Sequence, residues 1–237
     1  MRTGYVVFEI RRAFRDSKFF LFAVALPVGL FVLESNVIRD VPASYLMGSL
    51  AAFGAFKAAL DTGARTAVER GIGWQRQLRL TPLTGAGYLT AKAAVAMLVA
   101  LPPVAGVSLA AALLSGVELT TPAKLATLLA IWAGIVPFAL LGLLIGQLAT
   151  PQNLQAYQGG VVLVMSFVGG LFIPVTSFPA VLARIAEVLP SYWLAEIGHS
   201  VAPGGGRIGQ AALVLALYTL ALGVAVAVRY RRDQARP

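Results

Sequence analysis

Few residues in this chain have the type and spacing for covalent chemistry. A phosphate-cradling loop needs Gly-Lys followed by Ser or Thr, so that backbone amides and the lysine hold the phosphates, yet none of Lys18, Lys57, Lys92 or Lys124 follows a glycine. There is no His-Glu-x-x-His metal helix and no Gly-x-Ser-x-Gly elbow. Cysteine is absent, which excludes thiolate catalysis and cysteine-built zinc sites. His199, the sole histidine, reads as a solvated or interfacial ring, because a metal site needs further ligands. Glu187 and Glu196 could bind a cation or move a proton. Lys57 and Asp61 stand four apart and can pair on one helix face. The richest non-covalent chemistry lies in residues 61–83, where Arg65, Glu69, Arg70, Arg76 and Arg79 alternate with Val68, Trp74, Leu78 and Leu80.

The elements that position these residues follow from composition. Hydrophobic residues make up 58% of the 237 and charged residues 12%, about half the charged share of a soluble domain. Charge at mid-bilayer is costly, so charge-free runs mark the crossings. Residues 19–33 extend towards Ile38 as a first crossing, and residues 41–56 form a second. Residues 93–117 form a third, with a kink expected at Pro102-Pro103. Residues 125–183 carry no charge and are too long for one pass. The polar turn Thr150-Pro151-Gln152-Asn153 divides them into crossings near 126–149 and 154–173. Residues 208–228 form the sixth, stopped by Arg229, Arg231 and Arg232.

Two amphipathic segments flank these crossings. Residues 5–18 interleave Val6, Phe8, Ile10 and Phe14 with Arg11, Arg12, Arg15 and Lys18, as an interfacial helix on anionic lipid does. Residues 178–189 are too short to span and read as an outer helix lying on or dipping into the membrane. The basic start lacks a crisp small-residue cleavage site, so it is expected to be retained and not removed as a signal peptide. The expected fold is all-α: a single polytopic transmembrane domain over residues 1–237, with six transmembrane helices.

The net charge of +9 could suggest nucleic acid. Its distribution argues otherwise. With six crossings and an internal N-terminus, fifteen of the 19 Lys and Arg fall on the inner side, leaving Arg39, Lys124, Arg184 and Arg207 outside. Such asymmetry orients a chain N-in and C-in. The cations spread over both termini and one loop and form no docking surface for nucleic acid. Within the crossings, Gly142 and Gly146 form a small-xxx-small pair suited to close helix packing. Gln147, Gln158 and Ser166 could line a path or bond a neighbouring backbone.

The segment at 64–80 reads as a short amphipathic helix parallel to the membrane, ended by Pro82. It is either a solvated connector or a lever gripped by an inner partner, since an exposed Trp among arginines is typical of interface hot spots. Glu69-Arg70-Gly71, Arg76-Gln77-Leu78-Arg79, Thr81-Pro82-Leu83 and Tyr88-Leu89 with Lys92 resemble the coupling segment of type-2 ATP-binding-cassette exporter permeases. Gly169-Gly170 with Pro174 and Pro179, then Leu189-Pro190-Ser191-Tyr192-Trp193-Leu194, resemble that family's outer turn before the last crossing. The fragments keep the family's order across nearly the whole chain. Ala202-Pro203-Gly204-Gly205-Gly206 gives no clue to a substrate group.

The resemblance implies a permease with no cofactor of its own, served by a separate nucleotide-binding ATPase subunit that carries ATP and Mg. It implies Glu69, Arg70, Gly71, Trp74, Gln75, Arg76 and Arg79 as the coupling contacts, and Gly169, Gly170, Pro174 and Pro190 as the outer turn. A second permease subunit, identical or related, would face this one in a bacterial cytoplasmic membrane. An amphipathic, lipid-like or drug-like cargo, an antibiotic among them, would move outward. Two rival readings stay open: a secondary transporter or channel without an ATPase, which calls for charged or broken-helix sites at mid-membrane, and a non-transporting membrane scaffold.

Overall fold

The computed structural model describes residues 2–38, 40–74, 77, 80, 84–118, 122–200 and 207–234, and every regular element among them is helical. Helix α1 (Arg2–Arg15) lies before α2 (Ser17–Val37). Asp16 separates them and caps α2, its carboxylate accepting the Phe19 amide at 3.1 Å. That bond, with Arg65 beside it, holds the Asp16 carboxyl below its ordinary value. Helix α3 (Ala43–Ala64) runs through Arg65 into α4 (Thr66–Gly71). Then come α5 (Gly85–Val99) and α6 (Leu101–Ser115), α7 (Pro122–Gly134) and α8 (Val136–Leu148), and α9 (Leu154–Phe167). A 3-10 turn (Val175–Ser177), α10 (Ala180–Val188), α11 (Pro190–His199) and α12 (Ile208–Gln234) complete the chain.

Prolines divide two of the crossings. The kink expected at Pro102-Pro103 falls at Ala100, which separates α5 from α6 and leaves the prolines in the first turn of α6, where a missing amide is tolerated. Pro137 does the same for α8 behind Ile135, a break not anticipated from the charge-free run.

Among the described residues, five helical stretches are long and apolar enough to cross a membrane: Lys18–Val37, Ala43–Gly71, Gly85–Ser115, Lys124–Leu148 and Ile208–Asp233. The crossing expected over 154–173 is shorter as a helix. It ends at Phe167 after 14 residues, about 21 Å at 1.5 Å per residue, and Gly170 at φ +78° turns the chain beyond it. The Tyr88 ring lies 6.2 Å from that of Tyr5 and 6.1 Å from that of Tyr230, so α1 and the later part of α12 reach the same end of the bundle. The five long helices, with α9 and the turn after it, are consistent with the six crossings expected.

Helix α3 is the axis of the bundle. It packs against α2, α5, α6, α8 and α11 and is buried almost continuously from Leu46 to Ala64. Its small residues bring neighbouring backbones close. A Cβ on Gly142 would stand 2.2 Å from Leu60 O, and one on Gly63 would stand 2.6 Å from Leu143 N, so α3 and α8 touch backbone to backbone. Gly48 and Gly198 meet the same way, pressing α11 onto α3. The run read as a turn, residues 189–194, therefore opens a buried helix, with Pro190 in its first turn.

His199 departs from its expected solvated place. Its ring stacks on Tyr45 at 3.8 Å between centroids, and its Nε2 lies 2.8 Å from Ser49 Oγ. Burial pushes its pKa from 6.5 down to about 4. The unfolded chain therefore takes up a proton between those values that the folded one refuses, and stability falls as pH drops through that window. The melting temperature of the detergent-purified protein is expected to fall between pH 7 and pH 4.5. His199→Gln should flatten this dependence, and an equally steep fall in that variant would remove His199 as its source.

Candidate functional site

At the end of the bundle where α1 and α12 both reach Tyr88, a charged cluster ties three elements together. Lys92, in the second turn of α5, places Nζ 2.6 Å from Glu9 Oε2 of α1 and 2.5 Å from Glu69 Oε1 of α4. Arg12 reaches the same Glu69 oxygen at 3.0 Å. Tyr88 OH donates to Glu69 Oε2 and Tyr5 OH to Glu9 Oε1, both at 2.9 Å. All four carboxylate oxygens thus have partners, and two acids balance two bases. Full satisfaction of this kind allows charges to persist away from water. Burial and the adjacent Glu9 carboxylate hold the Tyr5 phenol far above its ordinary pKa, so it remains a donor.

Of the residues expected as coupling contacts, Glu69, Arg70, Gly71 and Trp74 are described, and each meets another part of this chain. Glu69 is 3% exposed and belongs to the cluster. Arg70 turns towards α8 and donates through one guanidinium nitrogen to the carbonyls of Gly146, at 3.1 Å, and Gln147. These are orphan acceptors at a helix C-terminus, where a cation is favoured. A Cβ on Gly71 would come 2.6 Å from Pro151 Cγ, which places this segment against the turn between α8 and α9. The Trp74 ring stacks on Phe8 of α1 at 6.3 Å between centroids. Gln75, Arg76 and Arg79 lie outside the described residues. Among the described residues of this segment, the exposed large apolar side chains are Val68, Ile72 at 67% and Leu80 at 89%, with Gln77 exposed beside them. The helix expected over 64–80 is broken after Gly71 by Gly73 at φ +75°, a backbone state that suits glycine.

Arg65 keeps a helical backbone between α3 and α4, so no extended loop separates the two helices. Glu9, Arg12 and Tyr5 were not singled out from the sequence as parts of this joint. One signal was present: Glu9 is the lone acid in an otherwise basic amphipathic helix, one turn from Tyr5.

At the opposite end, the four outer-turn residues lie where α9 meets α11. A Cβ on Gly169 would fall 2.0 Å from Ser191 Oγ, next to Pro190, and one on Gly170 would fall 2.6 Å from Val175 Cγ2. Pro174 opens the 3-10 turn. Glu187 and Glu196 both face Arg207, at 3.6 and 3.8 Å, and that guanidinium also lies over the Trp193 ring at 5.1 Å. The two acids are therefore engaged with a cation of this chain. Among the described residues, no three His, Asp or Glu converge as a metal site requires. The expected pairing of Lys57 with Asp61 is present at 2.5 Å, and Gln158 of α9 donates to the other Asp61 oxygen at 3.1 Å.

Comparison with known proteins agrees with this architecture. The family model described as ABC-2 type transporter matches residues 5–201. A curated protein of Bacillus subtilis (strain 168), named "Putative transport permease YvfS", is 26% identical over 220 residues, covering 90% of this chain and 89% of its own length.

Proposed function

From the premise that this chain belongs to the ABC-2 type transporter family, we propose that it is the membrane-spanning half of an ATP-driven exporter. A separate nucleotide-binding subunit hydrolyses ATP with Mg beneath the end that carries α1 and α4, and a second permease subunit, identical or related, completes the path. That end faces the cytoplasm, so both termini are inside, as the Lys and Arg asymmetry favours. The cargo is amphipathic, lipid-like or drug-like and moves outward across a bacterial cytoplasmic membrane. The name of the Bacillus subtilis relative accords with a transport role.

One observation carries the coupling mechanism. Val68 of α4 and Ile72 just beyond it face outward while the helix's inner face is bound into α1, α5 and α8. A partner seated on that apolar rim would push on α4 and through it on α3, and nucleotide would bias a two-state change in the path.

The test is co-purification. The tagged chain, drawn from membranes of its source organism, is expected to bring down a stoichiometric subunit with Walker motifs and vanadate-sensitive ATPase activity. Val68→Asp with Ile72→Asp is expected to cut its recovery at least ten-fold, because charges then replace apolar contacts at the rim. Recovery unchanged in that double variant would overturn the docking assignment. Cargo movement by the chain alone in vesicles, without nucleotide, would overturn the function.

A further inference from the structure

A cleft of about 190 Å3 opens between α2 and α3. Phe19, Phe22, Ala23 and Leu26 form one wall, and Gly54, Lys57, Ala58 and Asp61 form the other. Phe22 and Leu26 are exposed at its mouth and continue an apolar strip along α2. The cleft has room for about six waters at ~30 Å3 each, less than the ~300 Å3 at which pockets for whole drug-sized molecules begin. It can therefore enclose only one end of a larger molecule, whose remainder would lie on the apolar strip.

The polar groups indicate which end. Both Asp61 oxygens are already bonded, one to Lys57 and the other to Gln158. Lys57 has three ammonium hydrogens, and Asp61 is its one acceptor among the described residues. Its side chain is 33% exposed. The unmet demand in the cleft is thus for acceptor oxygens beside a cation, between largely apolar walls where the attraction is stronger than in bulk water.

We propose that this cleft captures the anionic headgroup, a carboxylate or phosphate, of a single-chain amphiphile, with Lys57 as its counter-ion and the tail along Phe22 and Leu26. This rests on the reading of the cargo as amphipathic and narrows it to anionic amphiphiles. Because Gln158 brings α9 to the same Asp61, headgroup binding is felt by α2, α3 and α9 together.

The experiment uses the full chain with its co-purifying subunit in nanodiscs of phosphatidylcholine. Probes are sixteen-carbon chains bearing a diazirine and ending in carboxylate, phosphate, alcohol or trimethylammonium. Cross-links are mapped by mass spectrometry. The carboxylate and phosphate probes are expected to label residues 19–26 and 54–61 at least ten-fold more than the alcohol or ammonium probes. Lys57→Gln should abolish that preference and Lys57→Arg should keep it. Ala23→Phe, which fills the cleft and leaves the ion pair alone, should remove the labelling. Excess inorganic phosphate should not compete, since it lacks the tail. Equal labelling by the alcohol, preference for the ammonium probe, an unchanged pattern in Lys57→Gln or in Ala23→Phe, or competition by phosphate alone would each overturn the proposal. Labelling needs no ATP, so its failure with an ATPase-coupled complex intact rejects the cleft alone, whereas failure of any ATPase subunit to co-purify, with labelling present, rejects the exporter reading alone.

Discussion

Lys92→Met is expected to destabilise the protein by about 3–5 kcal/mol, the usual consequence of removing one partner from a buried ion pair. The Lys92 ammonium lies between Glu9 and Glu69 at 2.6 and 2.5 Å, and all three side chains are almost wholly buried. Without it, two carboxylates face each other with only the half-exposed Arg12 in reach of both. One of them must protonate, or α1 must swing away from α4. Detachment of α1 also frees Trp74 from Phe8. The loss should appear as a lowered melting temperature in detergent and as faster proteolysis at Arg11 and Arg15. Lys92→Met combined with Glu9→Gln, which restores neutrality, should recover part of the stability. A Lys92→Met protein that melts within a degree of the parent would show that the cluster is dispensable.

Gly142→Leu is expected to have a comparable effect by a different route. Its first side-chain carbon would fall 2.2 Å from the Leu60 carbonyl oxygen. The obstacle is backbone and cannot rotate aside, so α3 and α8 must separate. Overpacking a tight core costs about 1–3 kcal/mol where side chains can adjust, and the lower end is out of reach where they cannot. Because Gly63 and Gly146 belong to the same seam, the separation would also pull Arg70 from the end of α8. Loss of monodispersity on size exclusion, with any remaining fold melting well below the parent, is the expected outcome. Gly209→Ala provides the contrast, since an added methyl there meets nothing within 4 Å. If both variants behave alike, the close approach of α3 and α8 is not what holds the bundle.

Much of the architecture was legible in the residues. Runs free of charge located the long apolar helices, because hydrocarbon rejects ions whatever the fold. Pro102-Pro103 located the α5–α6 break, and the amphipathic runs located α1 and α10. The order of fragments around Glu69, Gly169 and Pro190 pointed to the family that the match over residues 5–201 shows. Less was visible where helix ends depend on single glycines. Gly73 and Gly170 take left-handed backbone, which cuts the expected 64–80 helix and shortens the one from Leu154, and hydrophobic periodicity does not report that choice.

Membrane residence, helical class and family therefore follow from which residues are present and in what order, since cost of transfer to hydrocarbon is a property of each side chain. The inward turn of Glu69 and Arg70, the burial of His199 against Tyr45 and Ser49, and the joining of Glu9 to Lys92 do not. They pair residues far apart in the chain, and a charge or an imidazole is buried or solvated according to what the packed neighbours bring to it.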